Sequence, residues 1–215
     1  MSSIAAAPTA SAGTRRVLAD VIARPSSRAR AFALDAGLVI AGATIVALLA
    51  QVEIPLWPVP ITGQTLGVIV VGAALGAWRG AAALTTYMLV GLAGLPVFAG
   101  FTGTVAAIGK PSFGFVIGFI FSAFVAGWFA ERAWDRRPGL AFLGFAAASV
   151  VPFLFGIPYM AFILNVVMGL DYSFGELLAV GLLPFILGGL IKAALAAAII
   201  PGAWALVRKA DQSKN

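Results

Sequence analysis

Residues 112–130 read SFGFVIGFIFSAFVAGWFA and contain no charged side chain. At about 1.5 Å of rise per residue, a helix of this length covers the roughly 30 Å hydrocarbon core of a bilayer. The stretch therefore predicts a membrane-spanning α-helix. The rest of the chain agrees, since 61% of its 215 residues are hydrophobic, only 10% are charged, and the mean hydropathy is +1.04. Such a composition is typical of an integral membrane protein.

Further apolar stretches lie on both sides of this one. Lipid offers the backbone no hydrogen-bond partners, and the alternation of a membrane β-barrel is absent, so every span should be a helix. The predicted spans are residues 32–50, 61–77, 80–95, 112–130, 140–168 and 177–207. The second and third are short and the last two are long. Prolines are expected to kink or interrupt the long ones, at Pro152, Pro158, Pro184 and Pro201. The sequence thus predicts an all-α integral membrane protein, a compact bundle of six transmembrane helices.

Positive charge is biased to one side of this predicted bundle. If the N-terminus is cytoplasmic, that side receives Arg15, Arg16, Arg24, Arg28, Arg30, Arg79, Arg132, Arg136, Arg137, Arg208, Lys209 and Lys214. The opposite side receives Lys110, and Lys192 falls within the last span. The positive-inside rule then predicts that both termini are cytoplasmic. Tryptophans would act as aromatic anchors near the cytoplasmic interface, at Trp78, Trp128, Trp134 and Trp204.

The predicted division of the chain follows from these spans. A basic N-terminal tail of residues 1–31 precedes the membrane domain, residues 32–207, and residues 208–215 form a short cytoplasmic tail. The N-terminal tail lacks the apolar core and cleavage site of a secretory signal peptide. Apolar residues between 17 and 22 recur at helical spacing, which indicates either an amphipathic helix on the membrane surface or a disordered basic tail.

Composition excludes much chemistry. The chain has no cysteine and no histidine, so disulfides, thiol catalysis, imidazole bases and the usual zinc ligands are absent. The net charge of +6 flanks apolar segments, which argues for membrane orientation and against nucleic-acid binding. The motif around Gly109-Lys110-Pro111-Ser112 has the wrong spacing for an ATP-binding loop.

A polar, proline-stiffened segment, WPVPITGQTLG at residues 57–67, lies between two apolar stretches. Its prolines restrict the backbone, while Thr62, Gln64 and Thr65 offer hydrogen-bonding side chains, so a ligand is expected there. Gln64 could contact that ligand or cap a helix. Tyr87 and Asn165 could contact it or hydrogen-bond between helices. An apolar wall could come from Phe98, Phe101, Phe113 and Phe115, although phenylalanine also packs in any membrane protein.

Lys192 is the most informative single residue. It lies mid-span, where an ammonium costs at least about 3 kcal/mol, so it should face the bundle interior and meet an acceptor. No predicted span carries an acidic residue at that depth. The acceptor could be a carbonyl or carboxylate oxygen of a ligand. Alternatively, carbonyls freed at a broken helix, or Asn165, could satisfy the lysine.

Small residues recur at four-residue spacing in several spans. Such stripes let helices approach closely, and most should pack within the bundle. The first span is the best candidate for a docking face toward another membrane protein, through Gly37, Ala41, Ala43 and Ala47.

Four segments together resemble the BioY family, biotin-specific S components of energy-coupling factor (ECF) transporters. They are PVPITGQTL at 58–66, GLAGLPVFAG at 91–100, GFVIGF at 114–119 with Ala130-Glu131-Arg132, and Leu183-Pro184-Phe185 with Gly188 and Lys192. The resemblance covers about residues 32–205. It implies a protein of the cytoplasmic (inner) membrane with no catalysis and no cofactor. It also implies a biotin pocket near the outer face, with Lys192, Phe98, Gly100 and Gly189 at substrate-binding positions.

The resemblance further implies partners. A transmembrane coupling subunit and two ATPase subunits would supply the energy, and small residues of the first helix would contribute to docking. Some members work without that module.

Two departures from the family pattern bear on the ligand. Gly189 stands where the family commonly has an aspartate, and the turn at 109–115 differs. Losing a charged hydrogen-bond acceptor costs about 1.5 to 3 kcal/mol of binding free energy, so a biotin-related solute is an alternative substrate. A membrane scaffold or an intramembrane enzyme is the remaining alternative function.

Overall fold

The computed structural model describes residues 17–21 and 26–213 and is predominantly helical. Its α-helices are α1 Arg28–Ala50, α2 Gln64–Leu75, α3 Ala77–Leu92, α4 Phe113–Glu131, α5 Pro138–Ala161, α6 Phe174–Gly181 and α7 Leu183–Gln212. A π-helical turn, Phe162–Val167, extends α5. Two short antiparallel strands, β1 Glu53–Ile54 and β2 Ile61–Thr62, lie between α1 and α2.

The long apolar helices confirm the helical membrane class predicted from hydropathy. Within the described residues, four segments are long and apolar enough to cross a bilayer: Arg28–Ala50, Phe113–Glu131, Pro138–Val167 and Phe174–Gln212. The predicted second and third spans are indeed short. With 12 residues α2 is about 18 Å long, and α3 has 16 residues.

Proline interrupts the long helices at one of the four predicted positions. The chain leaves helical geometry at Leu182, and Pro184 then lies in the first turn of α7, where a missing N–H costs no intrahelical hydrogen bond. Pro152 and Pro158 lie inside α5, and Pro201 lies inside α7, without ending either helix. Of the predicted kinks or interruptions, an interruption is therefore found next to Pro184, and neither helix ends at the other three prolines.

Close packing around α4 forms the core. This helix contacts α2, α3 and α5, and small residues allow the approach. A Cβ added to Gly118 would lie 2.6 Å from the Cα of Pro152 on α5. Ser122 donates a hydrogen bond to the Ala148 carbonyl at 2.8 Å, across the same pair of helices. The small residues Gly118 and Ser122, four positions apart on α4, thus pack inside the bundle, as predicted for most such stripes.

The stripe on α1 is split between two faces, which corrects the predicted docking face. Gly37 and Ala41 are exposed, and a Cβ at Gly37 would meet no atom within 4 Å. Ala43 is buried in the core and Ala47 packs against it. Positions 43 and 47 lie on the inward side because Val46 and Ala50, on the same side of the helix, are fully buried.

One end of the bundle is tied together by polar contacts. Arg79, in the first turn of α3, pairs with Asp20 at 2.9 Å and with Asp35 of α1 at 3.5 Å. Glu131, at the end of α4, accepts a hydrogen bond from the Ala77 amide at 2.9 Å. Residues 18–21 form a single 3₁₀ turn next to Val17, which is buried in the core cluster. Val17 therefore packs against the protein, and Ile22 lies outside the described residues.

Trp204 lies in the core, which corrects its predicted role as an interfacial anchor. Its indole N–H donates to Oδ2 of Asp135 at 2.6 Å, and both side chains are buried. This contact holds the last turns of α7 against the short connection between α4 and α5. Trp78, in contrast, is 78% exposed, as expected of an anchor.

Asp135 should make stability depend on pH. Burial raises the pKa of this carboxyl to about 6, and its Oδ1 has no hydrogen-bond partner among the described residues. Because the folded protein holds the proton more tightly than the unfolded chain, this stabilising contribution is complete below about pH 4 and is lost as pH rises through about 6. The loss amounts to about 2 to 3 kcal/mol.

The Asp135→Asn variant keeps an acceptor for Trp204 and removes the titration. We therefore expect its free energy of unfolding, relative to the unsubstituted protein, to rise by about 2 to 3 kcal/mol between pH 4 and pH 7.5. Denaturation in detergent at a series of pH values measures this difference. Parallel stability curves for the two proteins would contradict the assignment.

Candidate substrate-binding cavity

A cavity of about 400 Å³ lies within the bundle, at the end opposite the Arg79 and Asp135 contacts. Its walls are the inner faces of α2, α4, α5 and α7. Its roof is formed by the β1–β2 segment and by the loop between α3 and α4. The volume falls within the range of small-molecule sites, about 300 to 1,000 Å³.

The roof is held in place by Gln51, which follows the last turn of α1. Its amide nitrogen donates to the Phe98 carbonyl at 3.1 Å, and its amide oxygen accepts from the Phe101 amide at 2.9 Å. One side chain thus joins the end of α1 to the loop between α3 and α4. Nothing local in the sequence marks Gln51 for this role, because its partners lie 47 and 50 positions away.

The side chain of Lys192 points from α7 into the cavity and contacts the polar segment of residues 57–67. Its ammonium donates to the Thr62 carbonyl at 2.6 Å and to the Thr65 hydroxyl at 2.9 Å. The acceptor is therefore neither Asn165 nor a carbonyl at the break in the last helix. Both partners are uncharged, and two of the three N–H donors are used. The cation lines the cavity with one donor left for a ligand.

Gln64 is held in place by two neighbours. It lines the cavity, its amide oxygen accepts from the Thr62 hydroxyl at 2.7 Å, and its amide nitrogen donates to the Tyr87 hydroxyl at 2.7 Å. The amide keeps one N–H and one lone pair unused. Tyr87 is fully buried behind Gln64 and does not line the cavity. Its predicted direct contact is thus replaced by a positioning role.

Aromatic rings form part of the apolar wall. Three of the four predicted phenylalanines line the cavity, namely Phe98, Phe113 and Phe115. The fourth, Phe101, is 71% exposed and lies outside it. Phe185 of α7 stacks on Phe115 with ring centroids 6.3 Å apart, and Phe153 of α5 meets Phe115 edge-to-face at 5.7 Å. Nothing local singles out Phe153 among the four phenylalanines of α5, and Phe185 entered the sequence interpretation only as part of the segment that resembles the family.

Two predicted substrate-binding residues lie away from the cavity. The Asn165 amide donates to the Tyr172 carbonyl and accepts from the Tyr172 amide, both at 2.9 Å. It therefore closes the turn between α5 and α6. Gly100 has a φ of +68°, which favours glycine, and shapes the loop above the cavity. Neither residue lines the cavity, so the structure does not bring these two predicted residues together with Lys192 and Gln64.

Gly189 lines the cavity together with Gly188. A Cβ at either position would meet no atom within 4 Å. The wall beside Lys192 is consequently open.

The cavity carries more positive than negative charge. Lys110 lines it and donates to the Thr102 hydroxyl at 3.3 Å. Among the lining residues in the described part of the chain, Lys110 and Lys192 are the cations and Glu53 is the acid. An apolar body with polar oxygens, one of them anionic, complements this arrangement.

Comparisons with known proteins identify related chains. A family model described as the BioY family matches residues 23–209. The Biotin transporter BioY of Rhizobium etli is 38% identical over 172 residues, which cover 77% of this chain and 86% of that protein. The Biotin transporter BioY of Thermotoga maritima is 38% identical over 154 residues, covering 70% and 83% respectively.

A solved structure shares the fold. It is the crystal structure of the S-component for biotin from an ECF-type ABC transporter, with a TM-score of 0.61. The match covers 82% of this chain and 93% of that chain at 24% sequence identity. At this identity the likeness establishes the fold alone.

Proposed function

The chain belongs to the BioY family, and from this membership we propose that it captures biotin at the outer face of the cell membrane and delivers it inward. It is a multi-pass membrane protein and not an enzyme, and biotin is its cargo, not a cofactor. The proposal extends to this chain what its relatives' names state of them.

The observation that carries the proposal is the lysine at the cavity wall. Biotin combines a ureido group, an apolar ring and chain, and a carboxylate. The free N–H of Lys192 suits the ureido oxygen, and the unused amide groups of Gln64 suit the ureido edge. Phe98, Phe115 and Phe185 would pack on the apolar body. Lys110 would then meet the carboxylate at the roof.

A titration of the purified protein with biotin and desthiobiotin tests this function. Saturable binding of biotin supports it, while preferential binding of another vitamin-like solute would favour the alternative substrate. No saturable binding of any such solute would favour a scaffold. Desthiobiotin lacks the sulfur but keeps the ureido and carboxylate groups, so a modest loss of affinity locates recognition at those groups.

The proposal includes a topology. Six crossings with both termini in the cytoplasm fit the charge bias of the sequence, and α2 and α3 would make two short crossings within a bundle of longer helices. Residues 1–31 and 208–215 would be cytoplasmic tails of the 32–207 membrane domain. The location would be the inner, cytoplasmic membrane.

Energy would come from an ECF module, a transmembrane coupling subunit with two ATPase subunits. The exposed face of α1 is the proposed docking surface, with Gly37 and Ala41 in place of the inward-facing Ala43 and Ala47. Co-purification of the three subunits with this protein tests the partnership. Uptake by the protein expressed alone would show that the module is dispensable.

Restoring an acidic residue should strengthen binding. In Gly189→Asp the new side chain occupies open space one turn from Lys192, where it can accept a ureido N–H. A charge-assisted hydrogen bond is worth about 1.5 to 3 kcal/mol, so we expect biotin affinity to rise about 10- to 150-fold, measured by calorimetry.

Gly188→Asp is the matched control, because its Cβ position is equally open and also lines the cavity. It adds the same charge about 100° further round the helix. Equal gains in both variants would show a general effect of charge. A loss in Gly189→Asp alone would favour a different substrate.

A further inference from the structure

A second cavity, of about 570 Å³, lies at the other end of the bundle, between α5 and α7. It opens on the outer surface of the helices. On α7 its wall consists of small residues, including the exposed Ala194, Ala198, Gly202 and Ala205. Across from them, α5 contributes Phe142. The result is a smooth apolar groove, which we call the α5–α7 groove.

Two arginines line the α5–α7 groove at one end. Arg136 precedes α5 and Arg208 lies in the last turns of α7. No acidic residue lines the groove within the described part of the chain. The guanidinium carbon of Arg136 lies 4.5 Å from the centroid of the Trp204 ring, a contact that orients the side chain.

We propose that the α5–α7 groove binds one anionic phospholipid. The headgroup phosphate would lie between Arg136 and Arg208, and an acyl chain would follow the small residues of α7. Guanidinium groups bind phosphate oxygens through paired N–H donors, and basic sites between membrane helices suit anionic headgroups. The apolar groove continues from the cations along the membrane-spanning part of α7, which matches an amphiphile with one charged end.

The open space at Gly202 supports an occupant that lies along the helix. A Cβ there would meet no atom within 4 Å, although this glycine lies in the middle of α7. A larger side chain can therefore fill the groove without disturbing the protein around it. This makes the chain-binding part of the groove testable separately from the headgroup-binding part.

Lipid retention on the full-length protein tests the proposal. The protein is purified in neutral detergent, mixed with phosphatidylglycerol or phosphatidylcholine, and examined by native mass spectrometry. We expect one phosphatidylglycerol to be retained in preference to phosphatidylcholine. Arg136→Gln with Arg208→Gln should lower its affinity about 25-fold, at about fivefold for each arginine. Gly202→Leu should also release the lipid.

Matched variants separate the groove from general effects. Arg137→Gln with Lys209→Gln removes the same charge from adjacent residues outside the groove, and Gly37→Leu places the same bulk in open space on α1. Both should retain the lipid, and biotin binding should persist in all variants as a check on folding. The proposal is overturned if the two double charge variants lose the lipid equally, or if neither of them loses it. It is also overturned if phosphatidylcholine binds as tightly as phosphatidylglycerol.

Discussion

Replacing Lys192 with methionine is expected to weaken biotin binding about 10- to 150-fold, measured by calorimetry on the purified protein. The substitution keeps the length and apolar stem of the side chain and removes the donor that the cavity offers to the ureido oxygen. A hydrogen bond to a charged group is worth about 1.5 to 3 kcal/mol, which corresponds to this loss.

Thermal unfolding in the absence of ligand distinguishes binding from structure. The ammonium now bonds the Thr62 carbonyl and the Thr65 hydroxyl, so methionine removes two hydrogen bonds and also the cost of burying a charge. These effects oppose one another, and we expect a change in unfolding free energy within about 1.5 kcal/mol. A strongly destabilised variant with normal biotin affinity would show that Lys192 only holds Thr62 and Thr65 in place and does not contact the ligand.

Lys110→Met is the matched control for charge at the cavity. Lys110 lies in the roof and is exposed, so its contact with a ligand carboxylate is screened by solvent. We expect a loss of affinity below about fivefold. A larger loss of biotin affinity in Lys110→Met than in Lys192→Met would contradict the proposed orientation of biotin in the cavity.

Gly118→Ala is expected to destabilise the protein by about 2 to 3 kcal/mol or more. The added methyl group would lie 2.6 Å from the Cα of Pro152 and 3.0 Å from its carbonyl oxygen. Backbone atoms cannot rotate away, so α4 and α5 must separate, and overpacking of this kind costs about 1 to 3 kcal/mol or more. Because Pro152 also lines the cavity, biotin affinity should fall as well.

Gly37→Ala provides the control for this substitution. Gly37 lies in the middle of α1, and a Cβ there would meet no atom within 4 Å. The same change should stabilise by about 0.4 to 1 kcal/mol, since alanine restricts the unfolded chain. Thermal unfolding in detergent measures both variants. Similar shifts in the two would mean that helix propensity, and not the contact with Pro152, decides the effect at Gly118.

Hydropathy was sufficient to identify the membrane helices but not to orient their faces. Almost every side of α1 is apolar, so periodicity carries no signal that separates Gly37 and Ala41 from Ala43 and Ala47. Packing against α2 and α3 makes that distinction. For the same reason Trp204 was expected at the lipid interface, although a buried carboxylate, Asp135, binds its indole.

The residues that line the cavity divide in the same way. Lys192 and Gln64 could be identified from the sequence because a charge or an amide within an apolar stretch is costly and demands a partner. Which partner is used depends on distant parts of the chain. Lys192 meets Thr62 and Thr65 instead of Asn165, and Asn165 bonds Tyr172 at the other end of its own turn.

The amino-acid sequence by itself determined that this protein is a helical membrane protein, that its second and third predicted spans are short, and that a lysine within the last span needs an acceptor. These conclusions follow from the free-energy cost of placing unpaired backbone groups or a charged side chain in the hydrocarbon core. That cost depends on each segment's own residues. Only the tertiary structure decided the partners of Lys192, the supporting role of Tyr87 and the outward face of α1. Those features depend on contacts between segments far apart in the chain, where many apolar faces are equivalent until the helices pack.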